Sequence, residues 1–280
     1  MQEEVKFSWV EGVFQAVNDT RRDPKYLLKV IIAMFGWSVL WSVPMIVLAI
    51  LNPNKDNPSS MFNFIISVLM LLTFAGAEPF LIKAALSIKE AGFNIKEWIA
   101  TVKENYLKFL LGLLIISFVY LLFSIILTLG TIMLIAAMSF LPQILARILG
   151  VLLVVGIVCL AVYVVVRVFP LYFIRLLFSD DGPVASLFSV WKMSKGYVLT
   201  FLLIILSVVG VGFVAIIILT VLGAMLAAIG GPALGQVLFL IIAGIPIMML
   251  SMVIRIILTN VFYSIYEQLN HQEIPEIEQE

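Results

Sequence analysis

The sequence predicts an all-α integral membrane protein of six transmembrane helices. They are expected as three repeated units, each an amphipathic helix followed by a transmembrane hairpin, about a pseudo-threefold axis along the membrane normal. Three observations predict this. First, 63% of the 280 residues are apolar, 12% are charged and the mean hydropathy is +1.16, whereas soluble domains carry about a quarter charged residues. Second, six apolar runs reach the ~20 residues that a helix needs to cross the hydrocarbon core. Third, an amphipathic pattern followed by a tyrosine and a pair of such runs recurs roughly every 90 residues.

The first unit, about residues 1–93, opens on Val10, Val13, Phe14 and Val17, whose i, i+3, i+4, i+7 spacing makes one apolar stripe on a helix, with Glu11, Gln15 and Asn18 on the other face. Tyr26-Leu27-Leu28 then leads into a span from Leu27 to Leu51, Asn52-Pro53-Asn54 breaks it, and Met61 to Ser87 returns. The second unit, about 94–182, repeats the order. Ile95, Trp98, Ile99 and Val102 form the stripe, Lys96, Glu97 and Lys103 the polar face, and Tyr106-Leu107-Lys108 the mouth; the spans Leu107 to Phe140 and Ile144 to Phe178 flank Leu141-Pro142. In the third, about 183–270, the stripe is Val184, Leu187, Phe188 and Trp191, with Ser186, Ser189, Lys192 and Lys195 facing water. Tyr197-Val198-Leu199 opens the spans Val198 to Ile229 and Val237 to Leu269, separated by a turn at Gly230-Gly231-Pro232. The registers differ by a few residues, and Trp9, Trp98 and Trp191 stand at non-equivalent places.

Ser179-Asp180-Asp181-Gly182-Pro183 is the clearest helix start. Its acidic and Ser side chains are expected to accept from the first amides, and Pro183 suits the first turn. Residues 1–270 thus read as a single six-span domain. Residues 271–280, with four glutamates around Pro275, read as a disordered acidic tail, and no cleavable leader is expected.

Orientation follows from the basic residues. Of 17, only Lys55 and Arg147 fall on the side away from the termini, so both termini are expected in the cytoplasm of a cell with this protein in its plasma or inner membrane. The 17 acidic residues cancel the formal charge, so nothing favours nucleic acid. The single Cys159 cannot close an intramolecular disulfide, the single His271 cannot form a metal cluster, and phosphate loops, zinc motifs and nucleophile elbows are missing. No enzyme, metal or cofactor is expected. The connections on the far side are too short for a receptor domain.

Candidate sites come from charges inside spans, because an ion in hydrocarbon costs several kcal/mol unless paired or hydrated. Glu78, Arg167 and Arg255 occupy matching places in the second, fourth and sixth spans. Two readings are open: they line a cytoplasm-facing cleft in which Glu78 pairs with one arginine and the other engages an anion such as a lipid phosphate, or all three snorkel to the interface. Glu78-Pro79 and Phe169-Pro170 also mark possible kinks in equivalent helices. Lys192 and Lys195 are candidates for anionic headgroups, or simply part of the basic bias of the inner face.

The stretch from Asp181 to Gly196, running into an apolar span, resembles the A-L-x-x-S-W-x-x-x-K-G signature of six-span bacterial and archaeal proteins related to the membrane domain of glycerophosphoryl diester phosphodiesterases. Ala185, Ser189, Trp191, Lys195 and Gly196 carry the likeness, with Val190 set between Ser189 and Trp191, where the family pattern often has them adjacent. The resemblance implies a membrane fold without the catalytic barrel, and therefore no phosphodiesterase activity. The function expected is that of a non-enzymatic membrane protein which binds or organises lipid, or a membrane partner, through its amphipathic helices. The alternative is a small transporter or channel with a path along the pseudo-threefold axis; an intramembrane enzyme would need more acid-base groups than Glu78 alone.

Overall fold

A computed structural model describes residues 8–51, 60–90, 92–138 and 143–273. The expected turns at Asn52-Pro53-Asn54 and Leu141-Pro142, and the tail beyond residue 273, lie outside the described residues. All regular structure among these is helical: α1 (Trp9–Arg22), α2 (Pro24–Leu51), α3 (Ser60–Glu90), α4 (Ile95–Met138), α5 (Gln143–Phe178), α6 (Pro183–Met193), α7 (Val198–Phe239), a π-helical turn (Leu240–Gly244) and α8 (Ile245–Glu273). Six of them, α2, α3, α4, α5, α7 and α8, contain stretches long and apolar enough to span a membrane.

Short polar side chains set where the helices begin. Ser8 Oγ accepts from Glu11 N at 3.4 Å to start α1, Asp23 Oδ1 accepts from Lys25 N and Tyr26 N at 3.0 Å to start α2, and Asn94 Oδ1 accepts from Glu97 N at 3.3 Å to start α4. Pro24 and Pro183 each open a helix, where a missing amide costs nothing. After α6 the chain turns through Gly196, whose φ of 90° is left-handed backbone that glycine adopts without strain.

Four expectations are corrected. The second amphipathic segment is not a separate helix: α4 runs unbroken from Ile95 to Met138, 44 residues, because nothing between Val102 and Tyr106 breaks a helix as Asp23-Pro24 and Gly196 do. Its length of about 66 Å is twice the hydrocarbon core. At the start of α6 the cap residue is Gly182, with no side-chain hydrogen bond, because Asp181 is drawn away by Arg175 at 2.8 Å. At Gly230-Gly231-Pro232 helical hydrogen bonding continues, and α7 extends to Phe239. The chain still reverses there, since Gly212 meets Ile254 and Gly223 meets Ala243, two pairs with a common midpoint at Ala233. Finally, His271, Gln272 and Glu273 continue α8 rather than starting a disordered tail.

The second arms of the hairpins, α3, α5 and α8, touch one another. Each first arm also packs on the second arm of the unit before it: α4 on α3, α7 on α5, and α2 on α8. The amphipathic segments follow suit, α1 against α7 and α8, α6 against α4 and α5, and the start of α4 against α3, where Trp98 meets the Phe80 ring edge-on at 5.4 Å.

The core is concentrated at the end of the bundle where α1 and α6 lie. Three buried clusters hold it, centred on Phe201 with Phe262, on Phe80 with Trp98, and on Phe109 with Tyr172. Farther out, none of the described side chains at 114–132 of α4 or 145–165 of α5 is buried, and between 209 and 225 of α7 only Gly212 and Gly223 are. In water such apolar surface would drive collapse; in a bilayer lipid tails solvate it equally well, so the arms need not meet. Where arms do approach, small residues permit it: a Cβ on Gly76 would overlap the Trp41 indole, and one on Gly212 would overlap Ile254.

Candidate functional site

Glu78 on α3 and Arg255 on α8 form an ion pair, Arg255 Nη2 donating to Glu78 Oε2. The same two helices are tied again at the end of the bundle near α1, where Lys89 Nζ lies 3.1 Å from Glu267. The inner pair sits eleven and twelve residues along α3 and α8 from that tie, about 17 Å deeper into the spans. At 12% and 33% side-chain exposure neither group is fully hydrated, and their mutual attraction offsets part of the cost of taking both charges out of water. Arg255 retains donors: its Nε is buried without a partner, on a guanidinium fork with five N–H groups.

The pair belongs to the walls of two cavities. One, of about 540 Å³, lies between α3, α5, α7 and α8 and is lined by Phe169, Ile174, Ser251 and Thr259 as well as the two charges. The other, of about 340 Å³, lies against α2 and α3 and adds Ser38, Ser42 and Thr73. Ser42 Oγ donates to Ser38 O at 2.7 Å within α2 and Thr73 Oγ1 donates across to Trp41 O of α2 at 3.2 Å, and both hydroxyl oxygens keep lone pairs that can still accept.

Arg167 is not part of this arrangement. Its Nε donates to Ser194 Oγ at 3.3 Å, Nη1 to Tyr163 OH at 2.7 Å and Nη2 to the Trp191 carbonyl at 2.8 Å, while the guanidinium lies 3.9 Å from the centre of the Trp191 ring. Every nitrogen is thus engaged: Nε and Nη2 hold the end of α6 onto α5, and Nη1 is braced by Tyr163 one turn earlier on α5. Lys192 and Lys195 are exposed on and just beyond α6. Among the residues that carry the family resemblance, Trp191 stacks on Arg167 and Gly196 makes the left-handed turn, Ser189 is half-buried and Ala185 is exposed. Other basic residues of the inner face act as ties: Lys83 to Glu97 at 3.4 Å, Arg175 to Asp181, and Lys108 Nζ to the Ser179 carbonyl. Prolines 79 and 170 both lie inside continuous helices.

Sequence reasoning overlooked Asn260, which is 4% exposed and donates through Nδ2 to the carbonyls of Ala85 and Ile256. It lines a polar cavity of about 220 Å³ with Glu11, Gln15, Asp19 and Lys89 between α1 and α8. A lone amide in an apolar span was the available signal. Among the described residues no three His, Cys, Asp or Glu side chains gather as a metal site.

Six apolar helices and an ion pair set within them define a multi-pass membrane protein. No known protein family, curated protein or solved structure matches the chain.

Proposed function

We propose that this protein is a non-enzymatic lipid-organising module of the cell membrane, both termini cytoplasmic, built from three pseudo-equivalent units, and that the cleft at Arg255 takes an anionic headgroup. The cyclic order in which α2, α4 and α7 pack on α8, α3 and α5 supports the threefold arrangement. The observation that carries the lipid reading is the Glu78–Arg255 pair itself: a charge pair in a wall shared by two cavities, with an arginine nitrogen still lacking an acceptor. A phosphate oxygen would complete it as a charge-assisted hydrogen bond. The buried side chains of Phe262 and Ile174 line the axial cavity next to the packed core, which favours a binding cleft over a through-path. The family resemblance around Trp191 adds a fold and no activity.

Native mass spectrometry from phosphatidylcholine nanodiscs doped with phosphatidylglycerol tests the headgroup site. The double variant Glu78→Gln, Arg255→Gln removes the charge without leaving an ion unpaired. It is expected to release one phosphatidylglycerol that the wild type retains; equal retention by both would overturn the reading.

A further inference from the structure

Two other cavities are unrelated in sequence yet stand at matching places in two units. One, of about 410 Å³, lies beneath α6 and is lined by Phe188 and Trp191 of α6, Ile116 and Tyr120 of α4, and Ala161 and Val165 of α5. The other, of about 390 Å³, lies beneath α1 and is lined by Val13 and Phe14 of α1, Val211 and Ala215 of α7, and Leu250 and Val253 of α8. Setting Tyr106 on Tyr197, Arg167 on Arg255 and Phe188 on Phe14 brings the two linings into register to within a residue or two. In the remaining unit the corresponding space, beneath the start of α4, is filled by the chain itself. Trp37 stacks on Phe80 at 4.5 Å, and Trp41 lies against Gly76 and stacks on Tyr106 at 6.1 Å.

From this we infer that the two open grooves are acyl-chain sites for an anionic phospholipid. The inference rests on the threefold arrangement and lipid-organising role proposed above. Both grooves lie along membrane-spanning segments and are walled almost entirely by apolar side chains. A partner helix does not fit, since a single turn about 10 Å across and about 5.4 Å long already occupies about 400 Å³; a flexible chain does. Charge at the mouths selects the headgroup. Lys192 and Lys195 follow Trp191 by one and four residues, and Arg21 follows Val17 by four, all three exposed. Each can attract an anionic headgroup at the cytoplasmic surface. The indoles of Trp37 and Trp41 do in one unit what lipid does in the other two.

The test plugs the grooves from within, in the phosphatidylglycerol-doped nanodiscs described above, counting retained lipids by native mass spectrometry. Ala161→Trp is expected to lower the count by one and Ala161→Trp, Ala215→Trp by two. Val155→Trp, on the lipid-facing side of α5 and outside the groove lining, should leave it unchanged. Trp41→Ala, which empties the third position, should raise it by one. Lys192→Ser, Lys195→Ser should remove the preference for phosphatidylglycerol at the groove beneath α6 alone, so that one retained phosphatidylglycerol is exchanged for phosphatidylcholine while the fold stays intact. An unchanged count in the double plug, or an equal fall in Val155→Trp, overturns the inference, as does an unchanged number of retained phosphatidylglycerols in the lysine variant. The headgroup cleft is scored separately. Loss of lipid in Glu78→Gln, Arg255→Gln with no response to the plugs sinks the grooves alone, and the converse sinks the cleft alone.

Discussion

Replacing Arg255 by leucine is expected to destabilise the protein by about 2–4 kcal/mol, because it strands a carboxylate that is seven-eighths buried on α3. The figure sits at the lower part of the range for broken buried pairs because Arg255 keeps a third of its side chain exposed. The double variant Glu78→Gln, Arg255→Leu should recover most of that loss, since a neutral amide in the same place costs far less to bury. Unfolding in mixed micelles by titration with sodium dodecyl sulfate measures both. A single variant as stable as the wild type would mean that the ion pair is incidental.

The second large effect is expected at Trp98. Its indole is 1% exposed and sits edge-on against Phe80 at 5.4 Å and Phe93 at 5.1 Å, so Trp98→Ala leaves a cavity where α4 clamps α3. A loss of about 3–5 kcal/mol is expected. Trp191→Ala should cost clearly less, because that ring is 39% exposed and contributes mainly its stacking on Arg167. The same micelle titration ranks the two, and a reversed order would contradict the account of where the core lies.

That ranking marks a limit of the sequence. Trp98 and Trp191 lie on similar stripes at different positions, and nothing in the spacing of Ile95, Trp98, Ile99 and Val102 tells that one indole is enclosed and the other lies at a groove. The six spans were legible because hydrocarbon demands long apolar runs, and the helix start at Gly182-Pro183 was legible because proline is a local constraint that suits the first turn. The unbroken α4 is the converse: Lys103-Glu104-Asn105-Tyr106 is polar enough to suggest a junction but contains no residue that ends a helix. The pairing of Glu78 with Arg255 was legible only as one of several options, since matching depth in three spans does not say which neighbours face each other. Arg167 looks equivalent to Arg255 along the chain. It differs because Tyr163 stands one turn before it and the end of α6 reaches it, and both surround its guanidinium with acceptors and aromatic faces. The cap expected at Asp181 failed for a related reason, as Arg175 offers the carboxylate a full charge in place of an amide.

In the threefold arrangement proposed above, the three hairpins close into a ring at the end of the bundle that carries α1 and α6 and stand apart at the other end. Distances between spin labels on the outer halves of α3, α5 and α8 test it most directly. Cys159 is the chain's single cysteine and is exposed on α5, and Met70 and Met248 are exposed at matching places on α3 and α8, at 46% and 45%. Pairwise double electron–electron resonance uses Met70→Cys or Met248→Cys with the native Cys159, and both together in a Cys159→Ser background. The account predicts three similar distances, as for the corners of a triangle. One distance close to the sum of the other two would mean that the hairpins stand in a row, and would contradict it.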